Sequence, residues 1–484
     1  MSSKDKRNLV IGLLIWIFFA FVCPCPDPLT KEGIRVVGVF LMTVYWWTVM
    51  SVGWPSVICL YMLATTGIQS ADSILAKSWG HGMTAFLAFC LIFNYAMAET
   101  GLSKRLSLFF VTRKCVKGRP WLVMYMFFFS ILLVSLVVTS SAVGAMFLGI
   151  AEQMFENTGY KKGEELPEAT VSYIAWIAQA GQGMTPMSHA VTLLGISLTL
   201  STFGIEVSVL TFCAAGLVMG IAFFLLFMIC FRFGIRPNVE KMANLDIDYL
   251  KTLIPKRTKQ ETVVTAGFIA LIVMWVCPDI LELIPFVAPV GTFLSSMGAY
   301  MPALLVVGIL AVVHVDGKPV IDLAVASKKI NWVSVYMMAS LMCLATIVGL
   351  PETGITAWIT ETVGPLLSNL PPLAFIFVAV GVIGVMTNFM SNTVSAAMHS
   401  ALIPIAMAIP GCNPIALGLC IASIANFGFA TPAACPVVGM VAGTDWVRPS
   451  FLLKYGWFGT VCGVVTICCI AYPIWSMIFP YVPG

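Results

Sequence analysis

The sequence predicts an all-α polytopic membrane protein built from two inverted repeats, with about 11 transmembrane helices and two re-entrant helical hairpins. Three observations carry the prediction. Of 484 residues, 60% are hydrophobic and 10% charged, with mean hydropathy +0.97, against about 25% charged in an ordinary soluble domain. Apolar stretches such as 207–231 and 451–481 exceed the length of about 18 residues needed to cross a hydrocarbon core. Polar markers recur in one order in both halves of the chain.

Apolar blocks between charged breaks place helices at 9–23, 33–50, 52–67, 83–101, 167–200, 207–231, 262–277, 287–313, 332–350, 412–443 and 451–481. Two more apolar blocks, 120–150 and 371–410, are interrupted by short polar triplets and read as hairpins that enter the membrane and turn back. A turn at membrane depth is tolerated only where it is buried in protein or lines a wet cavity. The basic start Lys4, Lys6, Arg7 followed by 9–22 resembles a signal peptide, but Phe21-Val22-Cys23-Pro24 lacks small residues at a cleavage site, so the first helix is expected to be retained.

Counting spans from a cytoplasmic N-terminus puts Lys104, Arg105, Arg113, Lys114, Lys117 and Arg119 inside, and likewise Arg236, Lys256, Arg257, Lys259, Lys328, Lys329 and Lys454. Lys31, Arg35 and Lys77 are the chief exceptions to this positive-inside distribution, and the C-terminus falls outside. The net charge of +4, without any Lys/Arg run interleaved with aromatics, gives no support to nucleic-acid binding. Most cysteines stand singly in apolar segments, as Cys90, Cys213, Cys343 and Cys420 do, and behave there as small hydrophobes without metal-ligand spacing.

Glu99-Thr100-Gly101 recurs as Glu352-Thr353-Gly354, an offset of 253 residues; Thr139-Ser140-Ser141 recurs as Ser391-Asn392-Thr393, an offset of 252; Thr185-Pro186 recurs as Thr431-Pro432, an offset of 246. By the span count the first copy starts outside and the second inside, so the repeats are inverted.

The charge map locates the chemistry. No Asp, Glu, Lys or Arg lies between Arg119 and Glu152, between Glu168 and Glu206, or from Thr362 to Thr444, and these blocks hold the triplets and the Thr-Pro breaks. Hydroxyls and amides in such surroundings are costly to bury unless something bonds to them. A hairpin tip or helix break exposes N–H groups at a helix N-terminus, where the dipole favours an anion. Oxygens on the other side of the turn suit Na⁺. Ser135 and Thr387 lie one helical turn before their triplets and extend the oxygen clusters. Polar triplets in membrane helices often serve close packing alone, but packing would not require them at matching places in both halves. His189, one turn after Thr185, and His399, two turns after Asn392, are candidates for substrate contact or proton carriage; the plainer reading is a cavity-lining or backbone-bonded histidine.

At these residues the chain resembles the divalent anion:sodium symporter family over nearly its whole length. The resemblance runs through Leu29-Thr30-Lys31-Glu32-Gly33, the Glu-Thr-Gly-Leu at 99–102, Ser391-Asn392-Thr393 and Ala430-Thr431-Pro432. It implies a homodimer in a cell membrane and an elevator mechanism. Scaffold helices would occupy 1–101 and 207–350, transport parts 102–206 and 351–450, with 451–484 as a last helix. It also implies carboxylate substrates such as succinate, malate or citrate, or sulfate, with sodium as the coupling ion and no other cofactor. Carried over by position, Ser391, Asn392, Thr393, Thr431 and Pro432 contact substrate, and Thr387, Ser391, Asn392 and Ala430 surround a cation. In the first half the matching substrate residues are Ser140, Ser141, Thr185 and Pro186, and the matching cation residues are Ser135, Thr139 and Ser140. That half departs from the pattern: Ser140 stands where the family has Asn, and Met184 where it has Gly. Either Gln182 replaces the lost amide, or the substrate is asymmetric and presents its carboxylate mainly to Asn392.

Other classes fit less well. An intramembrane enzyme would need a buried acid, base or metal cluster, and the charge-free blocks offer only His189 and His399. A receptor would need a sizeable soluble domain, and the longest loop is about 232–261. A sodium-independent exchanger or a sulfate or sulfonate carrier is the alternative within transport.

Overall fold

The computed structural model describes residues 3–50, 53–205, 208–252, 254–298, 300–358, 361–362, 371–390, 392–432 and 434–481. It is nearly all helix, as the apolar blocks require. One departure is a two-stranded antiparallel ribbon, His314–Val315 with Lys318–Pro319, closed by Asp316 and Gly317 at φ 52° and 77°. Asp-Gly is the dipeptide that such a two-residue turn favours, because both central residues need positive φ.

Among the described residues, five helices are long and apolar enough to cross a membrane: Gly82–Glu99, Val209–Ile235, Lys259–Glu282, Pro372–Phe389 and Pro449–Ile478, or up to seven spans if two bent pairs are each taken as one. The expected single span at 287–313 is such a pair, Ala288–Ser296 and Tyr300–Val312. The second pair sets Leu323–Lys329 at 77° to Trp332–Val348. Lys31–Val49 is long enough but carries Lys31, Glu32 and Arg35 in its first two turns.

The apolar block 120–150 is two arms, Pro120–Ser135 and Ser140–Thr158, joined at residues 136–139. The block 371–410 is Pro372–Phe389, then Asn392–Ala397 and His399–Met407. Both Thr-Pro blocks are broken helices: Glu165–Gln182 with Ala190–Phe203, and Pro414–Ile424 with Pro436–Ala442. The pieces interlock through glycines. A Cβ at Gly144 in the first hairpin would overlap Val437, past the second break, and a Cβ at Gly195, past the first break, would come within 2.5 Å of Ala422. At such sites small residues let backbones approach, which is how helices associate in lipid.

The two Glu-Thr-Gly turns dock on helix starts of the opposite half. Gly354, at φ 67°, seats its turn on Thr30, which caps Lys31–Val49 by accepting from Gly33 N at 3.0 Å and donates its hydroxyl to Glu352 O at 2.9 Å. A side chain at Gly33 would collide with Thr353 O, so glycine is needed there. Gly101, at φ 83°, brings its turn to Pro255, and Thr258 caps Lys259–Glu282 by accepting from Glu261 N. Here Glu261 occupies the place that Gly33 has in the other copy, and its buried carboxylate takes a two-pronged pair from Arg105, which also donates to Pro255 O at 2.8 Å. A second buried carboxylate, Glu168, is held by Arg448 through both guanidinium and backbone nitrogens.

Candidate anion and cation site

The arm Pro372–Phe389 ends in Thr387 and Asn388, both fully buried. Asn388 organises the second break. Its Oδ1 accepts from Phe429 N at 2.9 Å and Ala430 N at 2.6 Å, its Nδ2 donates to Gly384 O and Thr460 Oγ1, and its backbone carbonyl accepts from Thr431 Oγ1. A break leaves N–H groups without helical partners, and one amide side chain satisfies two of them here.

Thr387 Oγ1 lies 2.8 Å from Asn392 Oδ1 and 2.6 Å from Ala425 O. One hydroxyl proton serves only one of these contacts, so three oxygens meet with a single proton among them. A cation among the oxygens, or an Asn392 amide turned over to present Nδ2, resolves the excess. Gly428 lets the chain close on this cluster, since a Cβ there would sit 2.5 Å from Thr387 O and 3.3 Å from Asn392 Oδ1. Ala430, expected beside the cation, enters the network through its N–H on Asn388. Ser391 lies outside the described residues. Thr393 is buried at the start of Asn392–Ala397, and Pro432 is exposed beside Thr431.

In the first half Thr185 Oγ1 donates to Leu136 O, at the end of the hairpin arm. Ser135 donates to Leu132 O, and a Cβ at Gly181 would overlap its Oγ, so its hydroxyl serves the contact between arm and broken helix. Thr139 begins the returning arm without a side-chain cap bond, Ser140 is buried next to it, and Ser141 is half-buried. Pro186 follows Thr185 inside the break and is buried. Gln182 donates Nε2 to Ser188 O at 3.3 Å and leaves Oε1 without a partner. Ser188 Oγ and both amide atoms of Gln179 are also buried without hydrogen bonds. Unpaired buried polar atoms cost about 1 to 3 kcal/mol each, so Gln182 Oε1 and Ser188 Oγ leave the first break with groups that a hydrogen-bonding partner would stabilise. The Met184 side chain packs against the next helix at Gly220, where a Cβ would overlap it, and a Cβ at Gly216 would collide with the backbone carbonyl of Met184.

The breaks are stitched to each other. Ser423 Oγ donates to Gly183 O at 2.9 Å and Trp176 Nε1 to Phe429 O at 2.9 Å. Asn426 donates Nδ2 to Ala422 O and to Thr192 Oγ1, whose own proton goes to Gln182 O. Its Oδ1 is therefore left to accept from His189 Nδ1 at 2.7 Å, which fixes the proton of neutral His189 on Nδ1. His399 is buried elsewhere, with Nε2 3.0 Å from Thr199 Oγ1 and 2.8 Å from where a Cβ of Gly418 would lie, in a helix-packing contact. Reading the sequence missed Asn388, Asn426, Gln179 and Ser188. The available signal was that amides are few inside the charge-free blocks and costly there unless used.

Residues 4–481 match the family described as the sodium:sulfate symporter transmembrane region. The chain is 21% identical over 483 residues to the sodium-dependent dicarboxylate transporter SdcS of Staphylococcus saprophyticus, covering 96% of this chain and 90% of that one. It is 22% identical to the sodium-dependent high-affinity dicarboxylate transporter 3 of Caenorhabditis elegans, covering 94% and 86%. In fold it resembles the crystal structure of the Alcanivorax borkumensis YdaH transporter, with TM-score 0.61, 12% identity and 98% of both chains covered.

Proposed function

The chain belongs to the divalent anion:sodium symporter family and is a transporter rather than an enzyme, and we propose that it moves a small carboxylate anion across a cell membrane by an elevator-type, sodium-coupled mechanism. The observation that carries this reading is the pair of breaks and hairpin tips that present only neutral donors and oxygens, several without protein partners, in blocks free of charged side chains. Such a site holds an anion by N–H dipoles and hydroxyls and releases it again, because no buried arginine makes binding too tight. Di- and tricarboxylates such as succinate, malate and citrate are the substrate class, in keeping with the names of the relatives.

Asn392, Thr393, Thr431 and Pro432 would face the substrate from one side, with Ser391 by sequence position. Ser140, Ser141, Thr185 and Pro186 would face it from the other. Sodium would sit among Thr387 Oγ1, Asn392 Oδ1 and Ala425 O, where the oxygen excess suits it. The inverted-repeat reading is supported by one bond made twice. The break threonine donates to a hairpin-arm carbonyl three residues before the triplet, Thr185 to Leu136 and Thr431 to Asn388. A homodimer with a cytoplasmic N-terminus completes the proposal.

An exchanger without sodium, or a sulfate or sulfonate carrier, is the second reading, favoured by Ser140 in place of the family amide. Purified protein in liposomes, given labelled succinate, citrate and sulfate with and without an inward sodium gradient, tests both. Gradient-driven carboxylate uptake is expected. Uptake driven only by a counter-anion inside, or sulfate uptake without carboxylate uptake, would establish the second reading instead.

A further inference from the structure

We propose that Gln179 is a specificity-determining residue of the anion site, whose amide reads a hydroxyl beside a carboxylate and so selects a 2-hydroxycarboxylate over the bare dicarboxylate. The inference rests on the reading of the hairpin tips and breaks as the anion site. Gln179 is fully buried in Glu165–Gln182, in a block without charged side chains, and neither its Nε2 nor its Oε1 has a hydrogen-bond partner. An amide carries two donors and an acceptor, and leaving them empty in apolar surroundings is costly, so a purely structural position there favours an apolar side chain.

The helix face that carries Gln179 sets its place. Trp176, one turn before, donates to Phe429 O, and Gly183, one turn after, accepts from Ser423 Oγ, so this face looks onto the second break. The thiol of Cys435, the residue from which Pro436–Ala442 resumes, lies beside the amide, and sulfur is a weak partner. Val437, two residues further, packs where a Cβ of Gly144 would lie, one turn into the returning arm from Ser140. The amide thus stands where the second break meets the first hairpin, whose tip has serine at 140 in place of the family's Asn. Gln182 does not make up that loss, because its Nε2 is spent on Ser188 O. Ala142, Pro432 and Pro436 are exposed, so the junction reaches the surface. The free amide also defines the guest. Its N–H groups suit a carboxylate oxygen, whereas its Oε1 needs a proton, which the succinate dianion lacks. A 2-hydroxycarboxylate presents an anionic oxygen and an O–H on adjacent carbons and matches both edges of one amide. Malate differs from succinate by that hydroxyl alone.

The test is competition by malate and succinate against labelled succinate uptake in liposomes, for wild type, Gln179→Met and Gln179→Leu. Thermal stabilisation of the purified protein by each anion is measured in parallel and reads the same ratio where a variant takes up little succinate. Malate is expected to compete at least about fivefold more tightly than succinate in wild type, since succinate leaves one buried acceptor unpaired. In both variants malate should fall to the level of succinate. Without ligand neither variant should melt below wild type, because an apolar side chain of similar size leaves no buried group unpaired. Equal competition in wild type, or a preference for malate that survives the variants, overturns the proposal and leaves the transport reading standing. A preference that survives together with a lower melting temperature in both variants assigns the amide to a structural water instead. A protein that takes up neither anion, yet is stabilised more by malate than by succinate in wild type and equally by both in Gln179→Met, keeps the assignment of Gln179 and loses the transport reading. No response to either anion overturns both.

Discussion

Replacing Asn388 by alanine removes the acceptor that satisfies Phe429 N and Ala430 N, and the size of the effect follows from that geometry. The other groups it meets keep partners: Thr460 Oγ1 still reaches Phe427 O and Gly456 O, and Gly384 O belongs to a helix. The cost is therefore that of two orphaned buried donors, about 1 to 3 kcal/mol each. Spread over the break, this opens each amide about 5- to 140-fold more often, at 1.4 kcal/mol per tenfold. Hydrogen exchange on a peptide covering 425–432 reads the change directly, and labelled-anion uptake in liposomes reads its consequence, an expected loss of at least about tenfold. Asn388→Ala with unchanged exchange at 429 and 430, or with uptake within about twofold of wild type, would refute the claim that this side chain shapes the site.

Asn392→Ala is expected to abolish transport while folding and dimerisation persist, because a bond to a charged ligand contributes about 1.5 to 3 kcal/mol, more than tenfold in affinity; unchanged uptake would remove the second tip from the site. Ser140→Asn restores the missing amide and should reorder mono- against dicarboxylates more than Ser141→Thr does, and identical rankings for all three proteins would dismiss the asymmetric substrate. Sodium is expected to raise substrate affinity through one site, with reciprocal effects of substrate on sodium. Thr387→Val should lose the effect, whereas Met184→Gly should keep it, since Met184 packs on Gly216 and Gly220. A steep dependence on two or more ions per substrate would contradict the single site.

The interruptions of the apolar blocks were legible in the sequence because a polar triplet or a Thr-Pro step stands out in a block without charge, and the helices do break at 136–139 and 183–189 and end at Ile424 before resuming at Pro436. The docking of the Glu-Thr-Gly turns on Thr30 and Thr258 was half legible: the motifs were visible, their partners in the opposite half were not. Asn388 escaped notice because its bonds reach Phe429 and Ala430, some 40 residues away, and spacing along one helix carries no trace of them. The direction of the Met184 side chain depends on Gly220 of another helix, which leaves room for it, and Gly216 makes room for the Met184 backbone. The bend before Trp332 and the ribbon at 314–319 are set by local turns that hydropathy averages away.

The exchange of docking partners between the halves has a consequence for how the chain is made. Thr30 waits for a carbonyl 322 residues downstream, which at about 5 to 20 residues per second of synthesis means roughly 15 to 65 s. Arg105 waits 156 residues for Glu261. Through that interval the helix that starts at Lys31 has its Thr30 hydroxyl without its carbonyl partner, and a chain stopped before residue 352 never supplies it. The first-made half is thus a hostage to the last-made one, and a release from the ribosome that came too soon would leave an inserted but unclosed protein for quality control to find.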